Sequence, residues 1–406
     1  MHVEKSDEHG VISQRISSIL KDVIGGADQE RPIPLHEPYL GREEQIHLEE
    51  CLKSGWVSSA GPFIETFEQE IGVFTGAPNV VATVNGTAAL HLALVVAGAG
   101  EGDEVLVPSM TFVATVNAIT YCGAVPHFID SEPEHLGVDV EQLGVYLTDL
   151  LKPGPNGPEN CRTGRRVAAI VVVHTLGHPV DLDGMSKLCE QFDLPLIEDA
   201  AEALGSTYHG AHVGTHGLIG TLSFNGNKIV TTGGGGALLI RDEDLAARAR
   251  HLATTAKQPH AWEYFHDEVA FNYRMPSLNA ALGVAQFTRL TKLVDAKRKL
   301  AQAYAEAFSK EDGIRFIKEP PNTSSNYWLN AIVLDTSDAG SIDQILGDLV
   351  DGGYLVRPLW RPSHQLPMFA QSPRMDLPVC EDLARRVISL PSSPGLAMDV
   401  VKAAKH

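Results

Sequence analysis

Short apolar runs alternate with longer helical patterns between about residue 78 and residue 200, and this alternation limits the possible folds more than any other feature. The clearest run, Val167–Val173, holds seven apolar residues in succession, and Val80–Val84 and Leu194–Glu198 are shorter β-branched or apolar runs. Apolar strands separated by helices are typical of βαβ units, in which helices cover both faces of a mostly parallel sheet. The pattern predicts an α/β fold whose ligands bind beyond the carboxyl ends of the strands.

The pattern changes after residue 228. Ala237–Ile240 predicts a strand that returns to the sheet, and Leu278–Phe308 predicts one long helical region. Shorter strand and helix patterns follow and predict a small α+β domain, whereas the turn-rich segment 153–164 predicts a loop. We therefore predict three parts: a lead-in with a short helix at residues 1–32, a large domain at 33–285 and a small C-terminal domain at 286–406.

The charge balance excludes some classes of partner. With 51 acidic and 32 basic residues the formal net charge is -19, which argues against general binding of nucleic acid because phosphate backbones require a basic surface. No run of 18 apolar residues is present, so we expect no membrane span. The five cysteines are scattered without CxxC spacing, which predicts reduced thiols in a cytoplasmic protein and no metal site: Cys51, Cys122, Cys161, Cys189 and Cys380.

Two polar motifs lie where strands of the predicted sheet should end. Gly86 permits a tight turn after the first strand, and Thr87 with the following amides begins a helix, which is either an anion site or an ordinary capped turn. Asp199 ends a later apolar strand. It either caps the next helix or accepts a hydrogen bond from a cationic ring nitrogen, as pyridoxal chemistry requires.

A third motif joins Ser223 and Lys228 to the glycine run Gly233–Gly236. A lysine is usually a surface charge, but a lysine in a dry pocket is a better nucleophile because its pKa falls. The hydroxyl of Ser223 could donate to a phosphate. The glycine run indicates unusual backbone angles or the close approach of a ligand, and it lacks the GxxxxGK[ST] order of a nucleotide-binding loop. Lys228 is therefore a candidate for a Schiff base with pyridoxal 5'-phosphate.

These motifs occur in one order along the chain, among other short ordered segments. The segments are Gly55–Pro62, Asn85–Leu90, Gly102–Pro108, Thr111–Thr115, Glu198–Glu202, Ser223–Lys228 and Asn272–Met275. With them the chain resembles, from about Ile33 to Pro394, the DegT-type nucleotide-sugar aminotransferases, which depend on pyridoxal 5'-phosphate. The resemblance implies the aspartate-aminotransferase fold (fold type I), with a mixed, mostly parallel seven-stranded sheet in the large domain and a small C-terminal α+β domain.

The family's functional residues can be transferred to matching positions. The resemblance implies that Lys228 binds the cofactor and moves protons, that Asp199 pairs with the pyridine nitrogen and that Phe112 stacks on the ring. Glu202 lies where the family often has Gln or His, near the opposite ring face. Asn272 matches an asparagine that reaches the cofactor phosphate of a neighbouring subunit, which implies a homodimer with shared active sites. The implied residues at the phosphate are Gly86, Thr87, Ala88 and Ser223.

Other residues remain open between pocket and core. His174, Tyr327 and Trp328 could line the substrate pocket or pack in the interior. A sugar dehydratase of the same fold carries histidine in place of the lysine, so Lys228 argues against that activity. No GxGxxG motif follows the first strand, which argues against a nicotinamide-binding enzyme.

The substrate prediction rests on general similarity. Leu35–Pro38, Ser223–Gly236 and Thr254–Lys257 most resemble enzymes that act on UDP-linked 2-acetamido-2,6-dideoxy-4-keto hexoses, in the routes to bacillosamine or legionaminic acid. We predict amination of that 4-keto sugar with L-glutamate as the donor. The alternatives are a GDP-4-keto-6-deoxymannose aminotransferase, that is a perosamine synthase, and a non-catalytic regulator that binds pyridoxal phosphate.

Overall fold

A computed structural model describes residues 2–335 and 339–403 of the chain. Its helices are α1 His2–Ile24, α2 Arg42–Ser54, α3 Pro62–Thr75, α4 Gly86–Val96, α5 Val113–Tyr121, α6 Val140–Leu150, α7 Leu182–Phe192, α8 Glu243–Ala253, α9 Ser277–Phe287, α10 Leu290–Phe308, α11 Ala339–Asp351, α12 Pro378–Leu383 and α13 Pro394–Ala403. Its strands are β1 Asn79–Thr83, β2 Glu104–Pro108, β3 Val125–Ile129, β4 Leu151–Gly154, β5 Gly157–Asn160, β6 Val167–Val173, β7 Leu196–Asp199, β8 Thr207–Tyr208, β9 Ala211–His212, β10 Ile219–Ser223, β11 Gly236–Ile240, β12 Ile314–Phe316, β13 Thr323–Ser324, β14 Asn330–Leu334, β15 Arg357–Pro358 and β16 Val387–Leu390.

Seven strands form the large sheet, in the order β1-β11-β10-β7-β6-β2-β3. Six of them run parallel, and β11 runs antiparallel to its neighbours β1 and β10. Helices pack against the sheet, and every residue of β6 is buried, as its unbroken apolar sequence predicts. The predicted fold class, a mixed and mostly parallel seven-stranded sheet of the α/β type, is therefore confirmed.

The C-terminal part of the chain builds a second sheet of four strands, in the order β12-β14-β16-β15. Its core is separate from that of the large sheet and includes Tyr304, Phe308 and Ile332. Helix α1 packs against α10 and α11, and Ile16 and Leu20 from α1 are fully buried there. The first residues thus form one long helix that contributes to this core, instead of a short helix in a lead-in.

Three local expectations from the sequence are wrong in detail. The segment predicted as a loop contains β4 and β5, which pair as a two-stranded hairpin. The region predicted as one helix is divided into α9 and α10, with Arg289 outside helical geometry between them. Among the shorter patterns of the C-terminal part, the sequence Tyr354–Val356 predicts a strand, but the strand begins later, at Arg357. The proposed domain division at residue 285 stays a prediction. Among the described residues, no helix has both the length and the apolar character needed to cross a membrane.

Candidate active site

A cavity of about 350 Å³ opens at the carboxyl ends of the parallel strands. The ends of β1, β2, β7 and β10 each lead into a segment that contributes side chains to it, as expected for this class of sheet. The cavity brings together most of the residues predicted from the sequence. Those that line it are Gly86, Thr87, Phe112, Asp199, Glu202, Ser223 and Lys228.

The N-terminus of α4 forms one end of this cavity. The Asn85 side chain caps the helix by accepting a hydrogen bond from the amide of Ala88 at 2.8 Å. The first amides of a helix have no acceptor within it, so those of Gly86 and Thr87 are left for an anion, whereas that of Ala88 is already used. A Cβ atom on Gly86 would lie 2.9 Å from the Cβ of Ser223, so glycine lets the Ser223 side chain approach the helix end.

The glycine run is explained by contacts between backbone segments. A Cβ on Gly236 would lie 2.5 Å from the carbonyl oxygen of Asn85, and one on Gly235 would meet the side chains of Thr232 and Met275. Gly233 adopts a φ of 76°, which favours glycine. These residues let the start of β11 pack against the turn that leads into α4. The run therefore combines an unusual backbone angle at Gly233 with the close approach of other parts of the chain to Gly235 and Gly236.

Asp199 lies at the end of β7, nearly buried and lining the cavity. Its Oδ2 accepts a hydrogen bond from Thr115 Oγ1 at 2.7 Å, and its Oδ1 accepts one from the amide of Ala201 at 3.1 Å. Burial raises the pKa of Asp199, and the two hydrogen bonds and the charge of Lys228 only partly oppose this. Because burial disfavours the charged form of Asp199, a cation in the cavity, such as a protonated pyridine nitrogen, would stabilise the carboxylate.

Lys228 follows β10 and is largely buried, with 13% of its side chain exposed. Its Nζ lies 3.7 Å from Oε1 of Glu202 and 3.8 Å from the centre of the Trp328 ring. Burial lowers the pKa of Lys228, against the charges of Glu202 and Asp199. Burial also raises the pKa of Glu202 to about 7, against the charge of Lys228 and a hydrogen bond from the amide of Leu176. The pKa values of the amine and of the carboxyl group are thus shifted towards each other, which suits an amine that takes up and releases protons.

Two aromatic rings stand at the mouth of the cavity. Phe112 precedes α5 and is 54% exposed, so it is available to stack on a planar ligand. The Trp360 ring is centred 6.5 Å from that of Phe112 and also lines the cavity. Sequence reasoning missed Trp360, because a single tryptophan in a proline-rich segment has neither a motif nor a periodicity to mark it. Thr115 was part of a recognised motif, but its contact with Asp199 was not foreseen.

The residues left open between pocket and core divide as follows. His174 is fully buried and bonded on both nitrogens, to Glu198 Oε2 at 3.0 Å and to the amide of Val180, so it is a core residue. Tyr327 belongs to the core of the four-stranded sheet. Trp328 lines the cavity.

Asn272 does not line the cavity of its own chain. It is exposed, and its Oδ1 accepts a hydrogen bond from Arg274 Nε at 3.0 Å. The role that the resemblance implies for Asn272 stays a prediction.

Comparison with known proteins decides the family. The model of the DegT/DnrJ/EryC1/StrS aminotransferase family matches residues 38–404. The chain belongs to this family. Three proteins named GDP-perosamine synthase are 35% to 37% identical to it; the one from Vibrio cholerae is 37% identical over 91% of this chain and 96% of its own. The crystal structure of the aminotransferase TlmJ from Streptoalloteichus hindustanus superposes with a TM-score of 0.80 at 30% identity and covers 92% of this chain and all of that one.

A second solved relative, DesI, whose structure was determined with its TDP-sugar product, has 29% identity and a TM-score of 0.80, with 95% of each chain covered. This member of the DegT/DnrJ/EryC1/StrS family is therefore a pyridoxal-phosphate-dependent sugar aminotransferase, and a purely regulatory role is set aside. The cavity fits the cofactor: free amides and Ser223 at one end suit its phosphate, and Asp199 lies where a cationic ring nitrogen would need a partner.

Proposed function

We propose that this aminotransferase transfers the amino group of L-glutamate to the 4-keto carbon of GDP-linked 4-keto-6-deoxymannose. The observation that carries the chemistry is the buried amine of Lys228, which shares one cavity with Asp199 and with the anion site at α4. The choice of sugar is supported by the relatives named GDP-perosamine synthase. They favour this alternative over the UDP-linked 2-acetamido sugar that the short sequence motifs predicted.

Each residue has a task that follows from its position. The amides of Gly86 and Thr87 and the hydroxyl of Ser223 would hold the cofactor's phosphate. Asp199 would accept a hydrogen bond from the ring nitrogen and keep it protonated. Phe112, exposed at the mouth, would cover one face of the ring.

Proton movement is assigned to Lys228. Its Nζ, once free, would take a proton from the α-carbon of the amino donor and, in the second half-reaction, deliver one to C4 of the sugar. The lowered pKa of Lys228 suits this role, because it favours the neutral amine, which is the form that can accept a proton. Pyridoxal phosphate, when bound, supplies the electron sink that makes the α-proton acidic.

Replacing Lys228 tests the chemistry. Lys228→Ala should lose both the absorbance near the edge of the visible range, which reports cofactor bound to a lysine, and glutamate turnover. Lys292→Ala, at an exposed lysine on α10, is the matched control and should keep both. A Lys228→Ala protein with wild-type absorbance and turnover would remove the basis of the proposed mechanism.

A substrate panel tests the sugar. Purified protein is incubated with glutamate and either GDP-4-keto-6-deoxymannose or UDP-2-acetamido-2,6-dideoxy-4-keto-hexose, and 2-oxoglutarate release is measured. We expect kcat/KM for the GDP sugar to exceed that for the UDP sugar by roughly tenfold or more, equivalent to about 1.4 kcal/mol of selective binding. A preference for the UDP sugar would reject the proposed substrate and leave the aminotransferase chemistry intact.

We also propose a homodimer in which Asn272 completes the partner's active site. Asn272 is exposed and lies outside its own cavity, near the end of the segment 254–272. That segment exposes large apolar side chains: Trp262 is 84% exposed, Tyr264 79% and Val269 95%. Clustered exposed apolar groups of this kind are characteristic of protein interfaces.

Subunit mixing distinguishes a shared site from a merely adjacent one. Lys228→Ala and Asn272→Ala proteins should each be nearly inactive. When their subunits are mixed and allowed to exchange, a hybrid dimer contains one site with both residues intact, so activity should return to about a quarter of the wild-type value. Mixtures that stay inactive, although native mass measurements show hybrid dimers, would refute the sharing of Asn272.

A further inference from the structure

We propose that Trp328 is a positioning residue for the reaction: once Lys228 has left the cofactor, the indole face of Trp328 stabilises the Nζ atom of Lys228 in those steps in which that amine carries a proton. The proposal deepens the proposed function, on which it rests, because it takes Lys228 as the amine that joins and leaves the cofactor.

The amine of Lys228 lies close to an aromatic ring and a carboxylate. Its Nζ lies over the Trp328 ring, 3.8 Å from the centre, while Oε1 of Glu202 lies 3.7 Å away. Tryptophan has the aromatic face that attracts cations most strongly, and contacts within about 6 Å of the centroid count as favourable. An ammonium group at this place is therefore held by a carboxylate and a π-face together.

The indole is fixed to the segment that carries the lysine. Its Nε1 donates a hydrogen bond to the carbonyl oxygen of Asn227 at 2.8 Å, directly before Lys228 in the sequence. The backbone amide of Trp328 donates to Asn326 Oδ1 at 2.8 Å, and its carbonyl accepts a hydrogen bond from the buried Nζ of Lys297 at 3.0 Å. One hydrogen bond thus holds the ring itself and two hold the backbone that carries it, so the ring does not have to be ordered when the amine arrives.

The two partners differ in how they respond to pH. The carboxyl group of Glu202 has a pKa raised by burial to about 7, so it loses its charge as the pH falls through neutrality. The indole carries no charge to lose, and its attraction for the ammonium group persists below pH 7. Two other ionisable groups act on the amine: Asp199, and His36, whose pKa is lowered first by burial and then by the charges of Lys297 and Lys228.

Simple core packing would explain the burial of Trp328 but predicts no effect on the lysine. The test therefore measures the protonation of Lys228 directly, in the full-length protein freed of cofactor with hydroxylamine. Its amine is labelled with acetic anhydride between pH 6 and pH 10, with exposed Lys292 as internal reference, and the extent is read by mass spectrometry. The midpoint of the pH profile reports the pKa of the amine, whereas the plateau reports access to it.

Loss of the π-face should favour the neutral amine. For Trp328→Leu we expect the midpoint to fall, so that labelling near pH 7 is about 3- to 10-fold faster relative to the plateau. Trp328→Phe, which keeps an aromatic face, should show a smaller fall. Phe316→Leu removes a ring of equal burial from the small-sheet core and should leave the midpoint unchanged.

Two results would overturn the proposal: an unchanged midpoint in Trp328→Leu, or an equal fall in the Phe and Leu variants. If Trp328→Leu does not fold, Trp328→Met is the second non-aromatic variant and is judged by the same criteria. Neither result would bear on whether Lys228 binds the cofactor, since Lys228→Ala tests that separately.

Discussion

Replacing Glu198 with glutamine is expected to destabilise the end of β7. Glu198 is fully buried, and its carboxylate accepts four hydrogen bonds. Its Oε1 accepts hydrogen bonds from the amides of His216 at 2.8 Å and Gly217 at 2.6 Å. Its Oε2 accepts hydrogen bonds from the amide of Gly214 at 2.7 Å and from His174 Nε2 at 3.0 Å. The carboxylate thus ties the loop after β9 to the strand that presents the predicted partner of the cofactor ring.

A glutamine at this position keeps one acceptor oxygen and replaces the other by an NH₂ group. In either orientation of the amide, two of the four buried donors then face another donor. A buried donor left without a partner costs about 1–3 kcal/mol, so Glu198→Gln should destabilise the protein by about 2–6 kcal/mol. For a domain of this size that corresponds to a fall in Tm of roughly 5–15 °C.

The pH dependence gives a second, independent check. Burial alone would raise the pKa of Glu198, but the hydrogen bond and charge of His174 and the amides of Gly217 and Gly214 lower it to about 2. Because the folded pKa lies below the ordinary value of 4.5, the ionised carboxylate contributes stability that is fully present above pH 4.5 and is lost as the pH falls towards 2. The difference in Tm between wild type and variant should therefore narrow between those values.

Thermal unfolding followed by circular dichroism at pH 7, 4 and 3 measures both effects. Glu190→Gln, at an exposed glutamate on α7, is the control and should change Tm little at any pH. Two results would show that the four hydrogen bonds do not have the assigned energy. One is a Tm of Glu198→Gln at pH 7 that equals the wild-type Tm within error, and the other is a difference in Tm that is the same at pH 3 as at pH 7.

Two further substitutions examine the cofactor pocket. Gly86→Val adds a Cβ atom 2.9 Å from the Cβ of Ser223, so the Ser223 side chain, one of the predicted phosphate-binding groups, must move. The dissociation constant for pyridoxal phosphate should then rise roughly 10-fold or more in an absorbance titration, and unchanged binding would contradict this prediction. Thr115→Val removes a 2.7 Å hydrogen bond to Asp199, and such a bond contributes about 1.5–3 kcal/mol when the acceptor is charged. We therefore expect kcat/KM to fall about 10- to 100-fold while the circular dichroism spectrum is preserved. A variant with full activity would show that this hydrogen bond is not needed.

The large sheet could be predicted because a strand that is buried on both faces of a sheet has an unbroken apolar sequence. Val167–Val173 is apolar throughout and buried throughout, so no knowledge of its neighbours was needed. The direction of β11 was not predictable in the same way. Ala237–Ile240 looks like any buried strand, and only its pairing with β1 and β10, both distant in sequence, makes it antiparallel.

The break between α9 and α10 shows why a continuous pattern can hide a boundary. No proline occurs from Leu278 to Phe308, and the one glycine, Gly283, lies inside α9 and not at the break, so nothing in the sequence marks the end of the helix. The break comes at Arg289, whose guanidinium group pairs with the buried carboxylate of Glu44 at 2.6 Å. That contact joins positions far apart in the chain, and long-range contacts of this kind override local propensity.

In the candidate site, the sequence predicted which residues lie together but not their protonation states. Motif order was enough to group Thr87, Asp199, Ser223 and Lys228, because strand ends of a parallel sheet meet at one edge. The protonation state of Glu202 could not be predicted from the sequence, because its pKa depends on burial and on Lys228, which the fold places 3.7 Å away. The resemblance implies Gln or His at this position in related enzymes, and a glutamine could not change its charge. The carboxylate can do so near pH 7, so the protonation of the neighbouring amine depends on pH in a way that a glutamine would abolish.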